Sequence, residues 1–100
     1  MIKVTIVKEN SFKELEVKGH ANQAEYGKDL VCAAVSAVTV GGLNNLHEPE
    51  NFEIKIEEGY VLARAIKEIS HHDEVVLETI ITSLKCIAED NSKYIAIIEK

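Results

Sequence analysis

Cys32 and His20, twelve residues apart, are of types that together suit covalent chemistry on a carbonyl. A thiolate attacks the carbon, and an imidazolium then protonates the leaving amine. Asp29 stands three residues before Cys32, ahead of a run rich in Ala, Val and Leu. Asp is a favoured N-cap, so a helix is expected to begin there. That start puts the Cys32 sulfur in the first helical turn. Unpaired N–H groups and the positive end of the helix dipole stabilise an anion at such a place, and thiols there ionise more readily. The same N–H groups can donate to an oxyanion. Ser36 follows Cys32 by four residues and shares its helix face. Read alone, the residues leave a second reading open. A free Cys often simply packs, Asp29 caps its helix, and Ser36 fills a small space.

The elements that must position these groups are legible from periodicity. Ile2, Val4 and Ile6 alternate with other residues as a strand does. Glu9-Asn10-Ser11 signals a turn, and alternation resumes from Phe12 to Gly19, so a hairpin is expected. Residues 20 to 28 have no period and read as a loop. The helix after Asp29 is apolar nearly all round, through Leu30, Val31, Val35, Val38, Val40 and Leu43. Such a helix needs cover from a sheet and from a second helix or another subunit. Gly41-Gly42 costs it about 1 kcal/mol per residue unless something packs closely there.

Glu48-Pro49-Glu50-Asn51 ends the helical run, and Phe52 to Glu57 alternates as a half-buried strand. Glu58-Gly59 turns the chain, and Tyr60 to about Ile69 forms the return strand. Ser70-His71-His72-Asp73 opens a second helix, with Val76, Leu77, Ile80, Ile81 and Leu84 at helical spacing. A short final strand, Tyr94 to Ile98, is apolar on both faces and is expected to be well covered. The order is ββαββαβ. The expected fold is α+β: one domain over residues 1–100, a mostly antiparallel sheet, and two helices on one face.

Several classes are excluded. With 11 Lys+Arg against 17 Asp+Glu, the net charge of −6 argues against a nucleic-acid surface. Two distant Cys make neither a disulfide framework nor a zinc site. His71-His72-Asp73-Glu74, with His47 or Cys86, fits no standard metal spacing and reads as a solvated helix start with a capping Asp. Cys86 reads as a packing thiol. No metal and no cofactor are expected. The N-terminus has no apolar core of a secretory signal. The uncharged run Leu30–Leu46 carries Ser36, Thr39, Gly41, Gly42 and two Asn, which suits a buried helix better than a membrane span. A cytoplasmic protein with reduced thiols is the expectation.

The segment GHANQAEYGKDLVCAAVSAV resembles the signature of the ribosomal-processing cysteine protease family, Prp. The matching positions are Gly19-His20-Ala21, then Gly27, Asp29, Val31, Cys32, Ala33 and Ser36. The resemblance implies a homodimeric endopeptidase that removes the N-terminal extension of large-subunit ribosomal protein twenty-seven. It makes Cys32 the nucleophile and His20 its general base and acid. Asp29, Ser36, Gly19 and Gly27 match supporting positions. Ala21, Asn22, Gln23, Ala24, Glu25, Tyr26 and Lys28 match a loop that covers the site and yields to substrate. A loop bounded by Gly19 and Gly27 is suited to opening and closing. Two other functions fit the same features: a non-catalytic protein that binds ribosomal components, and a different acyl-transfer enzyme using the same dyad.

Overall fold

The computed structural model describes residues 1–19 and 26–100, with side chains from Leu30 onward in the second segment. The elements run β1 (Ile2–Glu9), β2 (Ser11–Lys18), α1 (Tyr26–Leu43), a short 3-10 turn (Pro49–Asn51), β3 (Phe52–Glu57), β4 (Tyr60–Ala65), α2 (His71–Asp90) and β5 (Ile95–Glu99). The order ββαββαβ is as expected. The strands form one sheet in the spatial order β3-β4-β2-β1-β5. β1–β2, β2–β4 and β3–β4 are antiparallel, and β5 joins β1 in parallel.

Register explains which face is buried. Ile97, Val4, Val17, Val61 and Ile56 lie opposite one another across the five strands, and Ile6, Leu15, Ala63 and Ile54 form the next row. Opposed residues share a face, so these rows make one apolar surface. The apolar residues of the helices join the same core: Val31, Val35 and Leu43 from α1, and Val76, Leu77, Ile80, Ile81 and Leu84 from α2. Both helices therefore cover one face. On the open face, Arg64 reaches Glu14 and Glu53 at 2.8 Å each, which ties β4 to both its neighbours. Exposed pairs of this kind add little stability, but they suit one register only.

Gly42 shows why the apolar helix tolerates its glycine pair. A Cβ there would collide with the Ile80 side chain, so α1 and α2 approach closely at that point. Gly41 faces open space. The cover on α1 is partial: α2 packs against one side, while Leu30 remains 55% exposed and Ala33, Ala37 and Gly41 are exposed as well.

Four expectations are corrected. α1 begins at Tyr26, so Tyr26, Gly27 and Lys28 belong to the helix and Asp29 is inside it, not at its cap. β4 ends at Ala65, well before Ile69. β5 is an edge strand covered on one face only: Ile95 and Ile97 face the helices, and Ile98, opposite Thr5 on the open face, is 40% exposed. The helix-start cluster is not a solvated turn. Ser70 is the N-cap, its hydroxyl accepting from the Asp73 N–H at 3.1 Å. Asp73 is fully buried, and its carboxylate accepts the backbone N–H groups of His47 at 2.8 Å and Glu48 at 3.0 Å.

Asp73 thus clamps the segment after α1 onto the start of α2. Removing it leaves two part-buried amide donors without their acceptor, at about 1–3 kcal/mol each. Urea unfolding of Asp73→Ala should show a stability loss of about 2–4 kcal/mol, whereas Asp90→Ala, on the exposed end of α2, should leave the midpoint nearly unmoved.

Candidate active site

α1 presents one stripe to the sheet. Cys32, Val35, Ser36, Thr39 and Val40 recur at three- and four-residue spacing, so one face of the helix carries them all. That stripe forms one wall of a cleft of about 340 Å³. Ile2, Val17 and Val61 from the sheet make the floor, and the β3–β4 turn from Ile56 to Tyr60 makes the far wall. Cys32 is half-buried and Ser36 exposed, so the thiol lies within a walled space and the hydroxyl nearer its mouth. A groove of about 390 Å³ between α1 and α2 and a polar depression of about 540 Å³ near the β1–β2 turn hold no cysteine.

Gly19 belongs to the same cleft and explains how the chain enters it. Its φ is +113°, and a Cβ would collide with the Met1 carbonyl, so only glycine fits. Its N–H donates to the Gly59 carbonyl at 2.9 Å, holding the end of β2 against the β3–β4 turn. Residues His20, Ala21, Asn22, Gln23, Ala24 and Glu25 of the expected dyad and loop lie outside the described residues.

The position of Cys32 differs from the expectation. It is the seventh residue of α1, at the end of the second turn, because the helix starts three residues earlier than Asp29. The dipole effect falls off within the first turn, and Cys32 lies beyond that turn. Asp29 and Gly27 lie in the helix backbone ahead of it.

The structure adds two residues that the sequence reading did not single out. Thr39 is fully buried, and its Oγ1 has no hydrogen-bond partner among the described residues. Thr79, at the matching place four residues after a Val in α2, donates to the Val75 carbonyl at 2.8 Å. The stripe Cys32, Ser36, Thr39 was a readable signal, since those spacings share a face. Tyr60 is the second. It borders the cleft at the β3–β4 turn, but its hydroxyl donates to Glu16 on the open face of the sheet, at 2.8 Å. That bond, followed by partial burial, raises the phenol's pKa above 10.0. No local signal predicted Tyr60, because it depends on β2 pairing with β4.

The other candidate groups are placed elsewhere. His47 and His72 do come together, with rings stacked at 3.4 Å between centroids, and His72 Nε2 lies 3.1 Å from the Asn45 carbonyl. Asp73 beside them is occupied by backbone amides. Among the described residues no group of three or more His, Cys, Asp or Glu side chains is arranged to hold a metal. Cys86 is exposed, not a packing thiol.

An α+β domain with a half-buried thiol on a helix wall, facing a cleft large enough for a side chain, is built like a cysteine hydrolase. Comparison makes the class specific. The family model for cysteine protease Prp matches residues 1–96, and the chain belongs to this family of cysteine peptidases. The ribosomal processing cysteine protease Prp of Mycoplasma genitalium is 38% identical over 102 residues, covering 100% of this chain and 97% of that protein. Its counterpart from Staphylococcus aureus (strain Mu50) is 28% identical over 98 residues, covering 94% and 92%. Among solved structures, this chain is similar over its whole length to the S. aureus protease in complex with a substrate peptide, with a TM-score of 0.85 and 26% identity. It is equally similar in extent to that protease with a covalently linked product peptide, with a TM-score of 0.83 and 27% identity.

Two measurements probe these residues, one on the cleft wall and one on the open face of the sheet behind it. Thr39→Val removes a buried hydroxyl with no partner among the described residues and should raise the stability to urea by about 1 kcal/mol; a loss of that size would reveal a bond to the hydroxyl. Ultraviolet titration should show Tyr60 ionising above pH 10.0, and Glu16→Gln should bring that midpoint down. A raised folded pKa stabilises the fold below the unfolded value, so this contribution is lost as pH rises through the folded value.

Proposed function

We propose that this peptidase removes the N-terminal extension of large-subunit ribosomal protein twenty-seven, with Cys32 as nucleophile and His20 as general base and acid. The observation that carries the reading is the cleft itself. Cys32 stands on one wall, and Gly19, the residue joined directly to His20, is fixed on another by its bond to Gly59. Attack by the Cys32 thiolate on the scissile carbonyl forms the S–C bond of a tetrahedral intermediate. Its collapse expels the amine, which takes a proton from the His20 imidazolium. Water activated by His20 then cleaves the thioester and restores the thiol. Asp29, Ser36, Gly19 and Gly27 support this site, and the residues from Ala21 to Glu25, ahead of α1, yield to substrate. Relatives named as ribosomal processing proteases, with peptide complexes among them, support the substrate assignment.

The acting form in this reading is a homodimer. Ala37 and Val75 border the open α1–α2 groove, and Val75 is 47% exposed, so the helix layer still has apolar surface to cover. The reaction needs no metal or cofactor and no direct contact with nucleic acid, and it takes place in the cytoplasm. No helix among the described residues is long and apolar enough to cross a membrane.

The test is cleavage of a peptide spanning the extension, with products followed by mass spectrometry. Wild-type protein should make a single cut. Cys32→Ala and His20→Ala should each lower the rate by more than about a thousandfold, and Cys86→Ala should leave it intact. Unchanged cleavage by Cys32→Ala would overturn the assignment.

A further inference from the structure

β3 is an edge strand: β4 flanks one side, and no strand among the described residues pairs with the other. Its free backbone groups can be assigned. Glu57 and Tyr60 flank a two-residue turn, and at the other end the Ile66 N–H donates to the Asn51 carbonyl. Antiparallel pairs alternate between bonded and non-bonded residues, so Glu53, Lys55 and Glu57 bond to β4. The Phe52 N–H is taken by the Pro49 carbonyl. Ile54 and Ile56 are left to direct their N–H and C=O groups outward. Ile56 is also 48% exposed, and with Glu57 and Glu58 it lines the cleft that holds Cys32. No residue of β5, the other edge, lines that cleft.

We infer that the substrate peptide binds as an added strand along the outer edge of β3, hydrogen-bonded to the backbone of Ile54 and Ile56, which leads it into the cleft beside Cys32. This deepens the peptidase reading and rests on it. Strand addition is a general mode for extended peptides: the backbone bonds give affinity, and alternate side chains give specificity. Here the two faces of the added strand meet different chemistry. Side chains beside Ile54 and Ile56 lie on the helix face, among apolar residues. Those between them lie on the open face beside Glu53, Lys55 and Glu57. The favoured substrate class is therefore an extended peptide with apolar residues at every second position and polar or basic ones between. The charged residues on β3 also disfavour pairing with unrelated apolar strands.

The test is a scan of the extension peptide with one backbone amide methylated at a time. Affinity is read by fluorescence anisotropy on Cys32→Ala and cleavage on the wild type. Loss of about fivefold to tenfold at alternate residues, with little change between them, is expected from removing single hydrogen bonds. Ile56→Pro deletes an outward N–H without touching the bonds to β4. It should raise KM by about the same factor with the thermal midpoint held. If Ile56→Pro unfolds, the methylation scan still decides. Cleavage without any two-residue period in the scan would overturn strand addition while leaving the peptidase standing. No binding and no cleavage by unmodified protein would overturn both.

Discussion

The antiparallel pairing of β2 with β4 is the constraint on which the rest of this molecule depends. It joins two hairpins that are separated in sequence by the whole of α1. Val17 is set against Val61 and Leu15 against Ala63, which completes the apolar floor under the helices. The same pairing carries the end of β2 to the β3–β4 turn, where the Gly19 N–H meets the Gly59 carbonyl. Without it Cys32 would face no opposing wall. Loop-closure entropy opposes so distant a contact, and the apolar rows it completes are what offset that cost.

The cleft is a consequence of layers that do not fully close. α1 and α2 meet tightly at Gly42 and Ile80, and Asp73 holds the connecting segment against α2. Both contacts lie toward the C-terminal half of α1. Among the described residues the N-terminal half packs on the core through Val31 and Cys32, with Val35 next along the helix, leaving a space between the Cys32 stripe and the β3–β4 turn. A rigid anchor at one end of the helix and a recess at the other give a thiol that is fixed in place yet open to a peptide. The Thr39 hydroxyl lining that recess has no partner among the described residues, and a buried polar group left so costs about 1–3 kcal/mol.

Much of the fold was legible. The period-two runs in β1, β2 and β3 and the 3.6-residue period of α2 follow from residue type alone, because burial on one side selects those spacings. The ββαββαβ order and the covering of one face followed from them. The errors came at boundaries and edges. Asp29 has the chemistry of an N-cap, but the helix runs on upstream through Tyr26, and an N-cap preference of about 1 kcal/mol does not decide a boundary by itself. Asp73 looked like a solvated cap because its two amide partners, the backbone N–H groups of His47 and Glu48, arrive from a distant loop. β5 looked covered on both sides because Ile97 and Ile98 are both apolar, yet the helices cover one face only and Ile98 points to the other.

By itself the sequence determined the chemistry available here: one cysteine in a spaced family signature with a histidine ahead of it, on a chain with the periodicity of a small α+β domain. These are local properties, written in residue types and short spacings. Only the tertiary structure decided which surfaces meet that cysteine. Strand order set Gly19 beside Gly59 and the free edge of β3 beside the cleft. The physical reason is that strand partners are chosen by the summed burial of whole rows of side chains. No single residue or spacing carries that sum.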